Sequence, residues 1–181
     1  MSQYLPSTNI IPALLTDASI YKDGVGLLGI GNIEMPDFEM MTESISGLGI
    51  AGEVDAPVVG HLKSMQLKIT WNTCNETATG LLVPVAHQLE VYASVQNYDA
   101  GSGTYVHQPV KAVVKAAPKK VGMGKMEPGK KMDSETELEV YYIKLWQNGK
   151  EMIEADKFNY IFRVLGVDYL ATVRANLGKD Y

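Results

Sequence analysis

Residues 131–166, KMDSETELEVYYIKLWQNGKEMIEADKFNYIFRVLG, are the stretch of sequence that decides the fold. Asn148-Gly149 at its centre supplies the two residues with positive φ that a type I′ turn requires, and alternating residues flank it on both sides. The stretch therefore predicts two long antiparallel strands joined by one tight turn. Strands that extend beyond the core of a small domain usually pair with another chain, which favours assembly over catalysis.

Length and composition indicate one domain over residues 1–181. The chain has 46% hydrophobic residues, enough for one sizeable core, and a single cysteine, Cys74, which excludes an internal disulfide. The formal net charge of -5 argues against a protein built to hold nucleic acid, because the phosphate backbone demands a basic surface. No stretch approaches the roughly 20 apolar residues of a membrane span. We expect a soluble protein with no membrane partner.

The rest of the sequence favours a mainly β fold, either a β-sandwich or a partly open barrel with one or two short α-helices. Strict alternation at Met65, Leu67, Ile69 and Trp71 predicts a strand with one dry face. Asn75 offers a cap for a short helix that follows it. The remaining expected elements are a hairpin over 17–34, a long loop over 35–60, strands over 88–96 and 104–117, a Lys/Gly-rich loop over 118–133, and a short helix over 167–175.

Two faces are expected for the strand that precedes the Asn148-Gly149 turn. Its acidic residues at every second position lie on one face, whereas apolar residues occupy the other. The acidic residues are Glu135, Glu137 and Glu139, and the apolar ones are Leu138, Val140, Tyr142 and Trp146. A charged stripe of this kind is usually a solvated face, and in a ring of several copies it could line a bore.

No catalytic or cofactor site emerges from the sequence. The run 124–131, GKMEPGKK, comes within one residue of a phosphate-binding loop, but Lys131 occupies the position of the Ser or Thr that holds magnesium and the run leads into a strand. His61, His87 and His107 stand apart without a second metal ligand. We therefore expect a protein that is not an enzyme and takes no cofactor or metal.

The C-terminal block carries a resemblance to a known family. GKKMDSETE, VYYIKLW, QNGKEMIEADKFNY and VLGVDYLATVRANLG follow one another there, and Met35-Pro36 and GLGIAGEVDAP over 47–57 match nearer the front. In this pattern the chain resembles the major tail tube protein of contractile-tailed bacteriophages and of R-type tailocins. It departs from the pattern in its longer N-terminus and at Leu165-Gly166, where Asn-Gly is commoner.

The resemblance implies a structural subunit of the virion. Such proteins form hexameric rings that stack into a tube, each subunit lending strands to one continuous inner β-barrel. The implied partners are the tail sheath, the tape-measure protein, the baseplate and the tail terminator, with DNA passing through the bore without specific binding. The implied place of assembly is the cytoplasm of the bacterial host.

The same resemblance, combined with strand alternation, assigns two sets of residues. The set expected to face the bore is Asn32, Glu34, Gln66, Thr70, Glu135, Glu137 and Glu139. The set expected to reach adjacent rings, within the long connection over 35–60, is Phe38, Met40, Met41, Ile45, Leu48 and Ile50.

Two alternatives stay open at this point. The first is a tube protein of the type VI secretion class, which shares the ring architecture. The second is a monomeric ligand-binding β-sandwich from outside phages. Concentration-dependent rings or fibres would separate the tube interpretations from the second alternative.

Overall fold

The computed structural model of the chain describes residues 9–179. Twelve strands and two short helices follow one another along them. In chain order they are β1 (Ile10–Lys22), β2 (Val25–Gly26), β3 (Ile30–Glu34), β4 (Met40–Ser46), β5 (Glu53–Leu62), β6 (Gln66–Trp71), α1 (Glu76–Gly80), β7 (His87–Asp99), β8 (Thr104–Gly122), β9 (Ser134–Gln147), β10 (Lys150–Asp156), β11 (Ile161–Val164), β12 (Val167–Asp168) and α2 (Ala171–Asn176). The prediction of a mainly β fold with one or two short helices is confirmed.

Ten strands form one antiparallel sheet, in the order β12-β11-β10-β9-β8-β7-β1-β2, from which β6 and β3 branch. The junction is β9, since residues 134–139 pair with β6 whereas residues 142–147 pair with β10. β8 runs along the opposite edge of β9 past both halves. Among residues 9–179 the sheet stays open rather than closing into a barrel.

The core lies between the branch and the main sheet. Leu67, Ile69 and Trp71 of β6 are fully buried, as alternation predicts, and they join one cluster with residues of β1, β7, β8, β9, β10 and β11. The Trp71 Nε1–H donates a hydrogen bond of 3.0 Å to the buried hydroxyl of Thr136 on β9. Full burial of each such side chain contributes about 1.5–3 kcal/mol, so this cluster fixes how the branch packs.

The alternation of β9 reverses at Tyr141. Val140 and Tyr142 pair with consecutive residues of β8, which leaves Tyr141 as an extra residue in a β-bulge. Before the bulge the even-numbered residues are buried, and after it Ile143 is buried instead. The prediction that Tyr142 and Trp146 share the core face with Val140 is therefore wrong, because the bulge moves them to the outer face.

The predicted hairpin over residues 17–34 is wrong in its second arm. The Asp23-Gly24 turn forms with positive φ at both residues, but β2 pairs only with the last two residues of β1. β3 pairs with β6 instead. Three glycines between residues 26 and 31 leave that arm few side chains to pack across the turn, so it separates from β1.

The predicted hairpin around Asn148-Gly149 is confirmed at its turn, but its second arm is shorter than predicted. Asn148 and Gly149 have φ of 49° and 75° and join β9 to β10. The second arm ends at Asp156, whose carboxylate accepts hydrogen bonds from the amides of Phe158 and Asn159 at 3.0 and 2.9 Å. This local capping favours a turn, so the chain reverses there into β11.

Three other predicted segments differ from those in the structure. Residues 35–60, expected to be a long loop, contain β4 and most of β5, which pair as a separate two-stranded sheet. The Lys/Gly-rich loop expected over 118–133 is shorter, because β8 continues to Gly122. The helix expected over 167–175 is displaced toward the C-terminus, since residues 167–168 form β12 before α2 begins.

Candidate subunit-assembly surfaces

All seven residues expected to face a bore lie together on one outer face of β3, β6 and β9. Strand register places them in rows, because residues paired across antiparallel strands share a face. The intervening residues of β6 and β9, such as Leu67 and Leu138, are fully buried, so the rows point away from the core. The three rows are Asn32–Thr70–Glu135, Glu34–Lys68–Glu137 and Gln66–Glu139.

This outer face, hereafter the paired-charge face, is not a bare acidic stripe. Lys120 of β8 lies 2.9 Å from Glu137 and 3.5 Å from Glu135. Lys157 lies 3.2 Å from Glu139. Lys120 lies beside the two glutamates because β8 extends to residue 122, past the predicted start of the loop at residue 118.

These contacts shift the pKa values of the groups that form them. The hydrogen bond from Lys120 lowers the pKa of Glu137, and the same bond raises the pKa of Lys120. Burial raises the pKa of Glu139, but hydrogen bonds from Ser64 and Lys157 outweigh it and leave that pKa below its ordinary value. These contacts therefore favour the charged forms of Glu137, Glu139 and Lys120.

The second surface is the hairpin of β4 and β5, hereafter the acidic hairpin. It pairs with no other strand among residues 9–179. Its base is fixed by Glu39, whose carboxylate contacts Lys63 Nζ at 2.6 Å, and by the ring of His61, which lies 6.2 Å from the ring of Tyr160. Beyond that base, most side chains of both strands are exposed.

Apolar residues make up much of the acidic hairpin. Five of the six residues assigned to inter-ring contact, together with Val54, Val58 and Val59, are large exposed hydrophobics, and Met40 is half-buried. The five are Phe38, Met41, Ile45, Leu48 and Ile50. An isolated two-stranded hairpin is marginally stable in water, and contiguous exposed apolar surface usually marks an interaction site. The hairpin thus has the composition of a segment that packs on another molecule.

The third surface is the free edge of β1. β1 pairs with β7 along its length, but its other edge meets only β2, at Tyr21 and Lys22. Within the described part of the chain, the edge from residue 10 to residue 19 has no strand partner. Leu14 beside it is 69% exposed. A long unpaired edge with exposed apolar side chains is a template for pairing with another chain.

A network of charges fixes the C-terminal block to the sheet. The buried carboxylate of Glu154 on β10 accepts hydrogen bonds from Tyr142, Lys144 and Arg163 at 3.1, 3.2 and 2.9 Å. Burial and the charge of Glu154 raise the pKa of Tyr142 to about 12. Arg174 of α2 contacts Asp168 at 2.7 Å, which lowers the pKa of Asp168. These contacts tie β9, β10, β11, β12 and α2 into one unit.

The weak motifs of the sequence are not brought together into a site. Residues 123–133 form a loop that leads from β8 into β9, as the sequence predicts, rather than into a helix. His87 is buried with its Nε2 at 3.1 Å from two backbone carbonyls, whereas His107 lies on β8 beside Thr16. Among residues 9–179 no three His, Cys, Asp or Glu side chains cluster as a metal site would require.

The helices of this protein are very short. α1 has five residues and α2 has six, and Asn75 caps α1 by accepting a hydrogen bond from the Ala78 amide at 2.8 Å, as predicted. Neither helix within residues 9–179 has the length or apolar character needed to cross a bilayer.

An open sheet, an unsupported hairpin and a free strand edge together define the class: a structural subunit that completes its β structure by joining other chains. Comparison with known proteins identifies the family. The family model for phage tail tube protein FII matches residues 12–178. A tail tube protein of Escherichia phage P2 is 26% identical over 179 residues, covering 93% of this chain and 98% of the phage P2 protein.

The fold also resembles that of a solved structure. It is the sheath/tube terminator of PVC, an extracellular contractile injection system, in its extended state. The TM-score is 0.53 with 10% identity, over 75% of this chain and 96% of the terminator. The chain belongs to the phage tail tube protein FII family. It is thus a phage tail tube protein, which confirms the resemblance seen in the sequence and does not favour the type VI or ligand-binding alternatives.

Proposed function

We propose that six copies of this chain form a ring and that rings stack into the inner tube of the tail. The observation that carries the proposal is the unclosed sheet, with its free β1 edge. Pairing that edge with a neighbouring subunit removes it, and a sheet that continues from subunit to subunit closes into a barrel without edges. The ten-stranded sheet of each copy supplies the strands.

The paired-charge face lines the bore of this tube. Four glutamates and three lysines contribute to it, and each lysine lies within 4 Å of a glutamate on the face. A polyanion such as DNA is held by lysines that are free to neutralise phosphates, whereas these are already neutralised by their own subunit. Such a surface lets DNA pass without binding it, and the tape-measure protein occupies the same bore during assembly.

The acidic hairpin reaches the adjacent ring. Its exposed apolar residues gain burial there, which an isolated hairpin lacks. The sheath surrounds the tube, and the baseplate and tail terminator meet its two ends. Assembly takes place in the cytoplasm of the bacterial host, where the net charge of -5 keeps free subunits apart by mutual repulsion.

Electron microscopy of the purified protein tests this proposal. Wild-type protein concentrated in low salt should form rings or tubes in negative stain, and a cryo-EM reconstruction should place Glu135 and Glu137 toward the axis. Leu14→Glu, which puts a charge beside the β1 edge, should abolish the rings, whereas Leu82→Glu, at an exposed residue outside the strands, should not. Protein that stays monomeric at high concentration and is absent from purified particles would refute the tube function. Reconstructed tubes with Glu135 against the sheath would refute only the bore assignment.

A further inference from the structure

The connection that leads into β6 and the connection that leads into β9 lie at opposite ends of the β6–β9 pair. The acidic hairpin joins β6 at Gln66, which pairs with Glu139. Residues 123–133, hereafter the basic loop, join β9 at Ser134, which pairs with Trp71 at the far end of β6. Six residues of extended strand separate these ends by about 20 Å. Hairpin and loop therefore project from opposite sides of the same strands.

These two ends carry opposite charge. Residues 35–62 contain five acidic residues and no lysine or arginine. Residues 118–133, which comprise the end of β8 and the basic loop, contain five lysines and two acidic residues, and three of the lysines lie in the loop itself. The acidic set is Asp37, Glu39, Glu43, Glu53 and Asp55, and the lysines are Lys119, Lys120, Lys125, Lys130 and Lys131. Such asymmetry gives the subunit an acidic end and a basic end.

Some charged residues of each set form no ion pair within the described part of the subunit. Lys125 and Lys131 are exposed and form no ion pair among residues 9–179, and the same holds for Glu43 and Asp55 on the hairpin. Glu43 pairs with Ala56 and Ser44 pairs with Asp55, so the two carboxylates lie close along the hairpin but on opposite faces of it. The hairpin thus presents an exposed carboxylate on each of its faces, and the basic loop presents two exposed ammonium groups.

Apolar surface accompanies the charges at both ends. Met126 in the basic loop is 85% exposed, and Met123 at its start is also exposed. On the hairpin, Ile45 and Val54 form a cross-strand pair next to the acidic residues, and both are exposed. A contact between the two ends would bury these side chains around the ion pairs, which is how protein interfaces combine an apolar centre with a polar rim.

We propose that the acidic hairpin of one copy binds the basic loop of a copy in the adjacent ring. The inference rests on the proposed tube and names the surface that the hairpin meets. Because the two surfaces are different and lie at opposite ends, the contact is heterologous, so each bound copy presents a new free end to the next ring. Rings added in the opposite orientation would bring hairpin against hairpin, where like charges repel.

Charge reversal with reciprocal rescue tests the pairing. The hairpin variant Glu43→Lys/Asp55→Lys and the loop variant Lys125→Glu/Lys131→Glu each convert two attractions per contact into repulsions. Each should raise the protein concentration needed for half-maximal tube formation by about tenfold, since exposed pairs are individually weak but two reverse together. The chain carrying all four substitutions should return to within about twofold of wild type. The control Lys22→Glu/Lys150→Glu makes the same charge change elsewhere and should assemble like wild type.

Two measurements on wild-type protein need no variant. Raising salt from 50 mM to 1 M shortens the Debye length to about 3 Å and should raise the same half-maximal concentration. In tubes mixed from ¹⁴N- and ¹⁵N-labelled protein, zero-length carbodiimide coupling should join Glu43 or Asp55 of one copy to Lys125 or Lys131 of another. Tubes that form with no such cross-link, or a fourfold variant no better than the double variants, would overturn the hairpin–loop pairing while leaving the tube intact. Absence of wild-type tubes would instead count against the tube itself.

Discussion

Replacing Gly124 should destabilise this protein far more than replacing another glycine of the same loop. Gly124 lies where the basic loop closes, and its φ is +75°. There the amide of Lys125 donates to the carbonyl of Met132 at 2.7 Å, and the amide of Met132 donates to the carbonyl of Asn72 at 2.8 Å. A Cβ at position 124 would lie 2.1 Å from the Met132 carbonyl oxygen, so backbone atoms have to move.

The magnitude follows from two costs. A left-handed conformation costs an alanine about 1–2 kcal/mol. Moving the Met132 carbonyl out of the clash adds about 1–3 kcal/mol of overpacking and about 1 kcal/mol for the hydrogen bond from Lys125. Gly124→Ala should therefore cost about 3–6 kcal/mol. Gly129 has nearly the same φ, +76°, but a Cβ there meets nothing within 4 Å, so Gly129→Ala should incur only the conformational cost.

Thermal unfolding of the two variants separates these costs. For a chain of 181 residues each kcal/mol lowers Tm by about 2–4 °C. Gly129→Ala should lower Tm by about 2–8 °C, whereas Gly124→Ala should lower it by about 6 °C or more and by more than Gly129→Ala, and it should cost more than Gly129→Ala in urea unfolding as well. Equal losses in the two variants would refute the argument, because their φ values match and only the Met132 contact differs.

Three further predictions concern the core, the C-terminal block and the helix cap. Thr136→Val leaves the buried Trp71 Nε1–H without its acceptor and should cost about 1–3 kcal/mol in urea unfolding, whereas Thr136→Ser keeps the hydroxyl and should cost less. Arg174 lowers the pKa of Asp168, so this carboxylate stabilises the fold at pH values above its ordinary pKa, and that stability is lost as pH falls through the lowered pKa. Asp168→Asn should therefore flatten the fall of Tm between about pH 5 and pH 2, whereas the exposed control Asp55→Asn should leave it unchanged. Asn75→Ala removes the acceptor for the Ala78 amide and should cost about 1 kcal/mol by thermal unfolding, while Asn75→Asp should retain most of the stability.

Sequence reasoning succeeded where the signal was local. The Asn148-Gly149 turn needs only two residues with positive φ, and the cap of α1 needs only Asn75 and the amide of Ala78. The alternation of β6 follows from one buried face along six residues. Each of these features is decided within a few residues, so composition and spacing are enough to find it.

Features that depend on residues distant along the chain were not predicted from the sequence. The bulge at Tyr141 arises where β9 leaves β6 and joins β10, a change of partner that alternation within β9 cannot reveal. β3 pairs with β6 more than thirty residues away, although β1 is nearer in sequence. Both faces of β4 and β5 are exposed. Neither strand therefore has one buried and one exposed face, which is the arrangement that makes a strand predictable from its sequence.

The paired-charge face combines residues that the sequence predicted with one that it did not. The resemblance, combined with strand alternation, selected Asn32, Gln66 and Glu135, and the register of β3, β6 and β9 places them on one outward face. The compensating Lys120 was missed because residues 118–122 had the composition of a loop. The charge balance of the face therefore depends on where β8 ends, and the composition of residues 118–122 did not indicate that the strand continues through them.

Growth of a tube of indefinite length requires that contacts along the axis never close on themselves. A self-complementary end would pair two copies and stop, whereas different surfaces at the two ends of the β6–β9 pair repeat with every added ring. The connectivity of this chain produces that difference directly, because the connection between β3 and β6 and the connection between β8 and β9 leave the same strands at opposite ends. In the proposed tube, acidic residues in the first connection and lysines in the second would give each ring a direction.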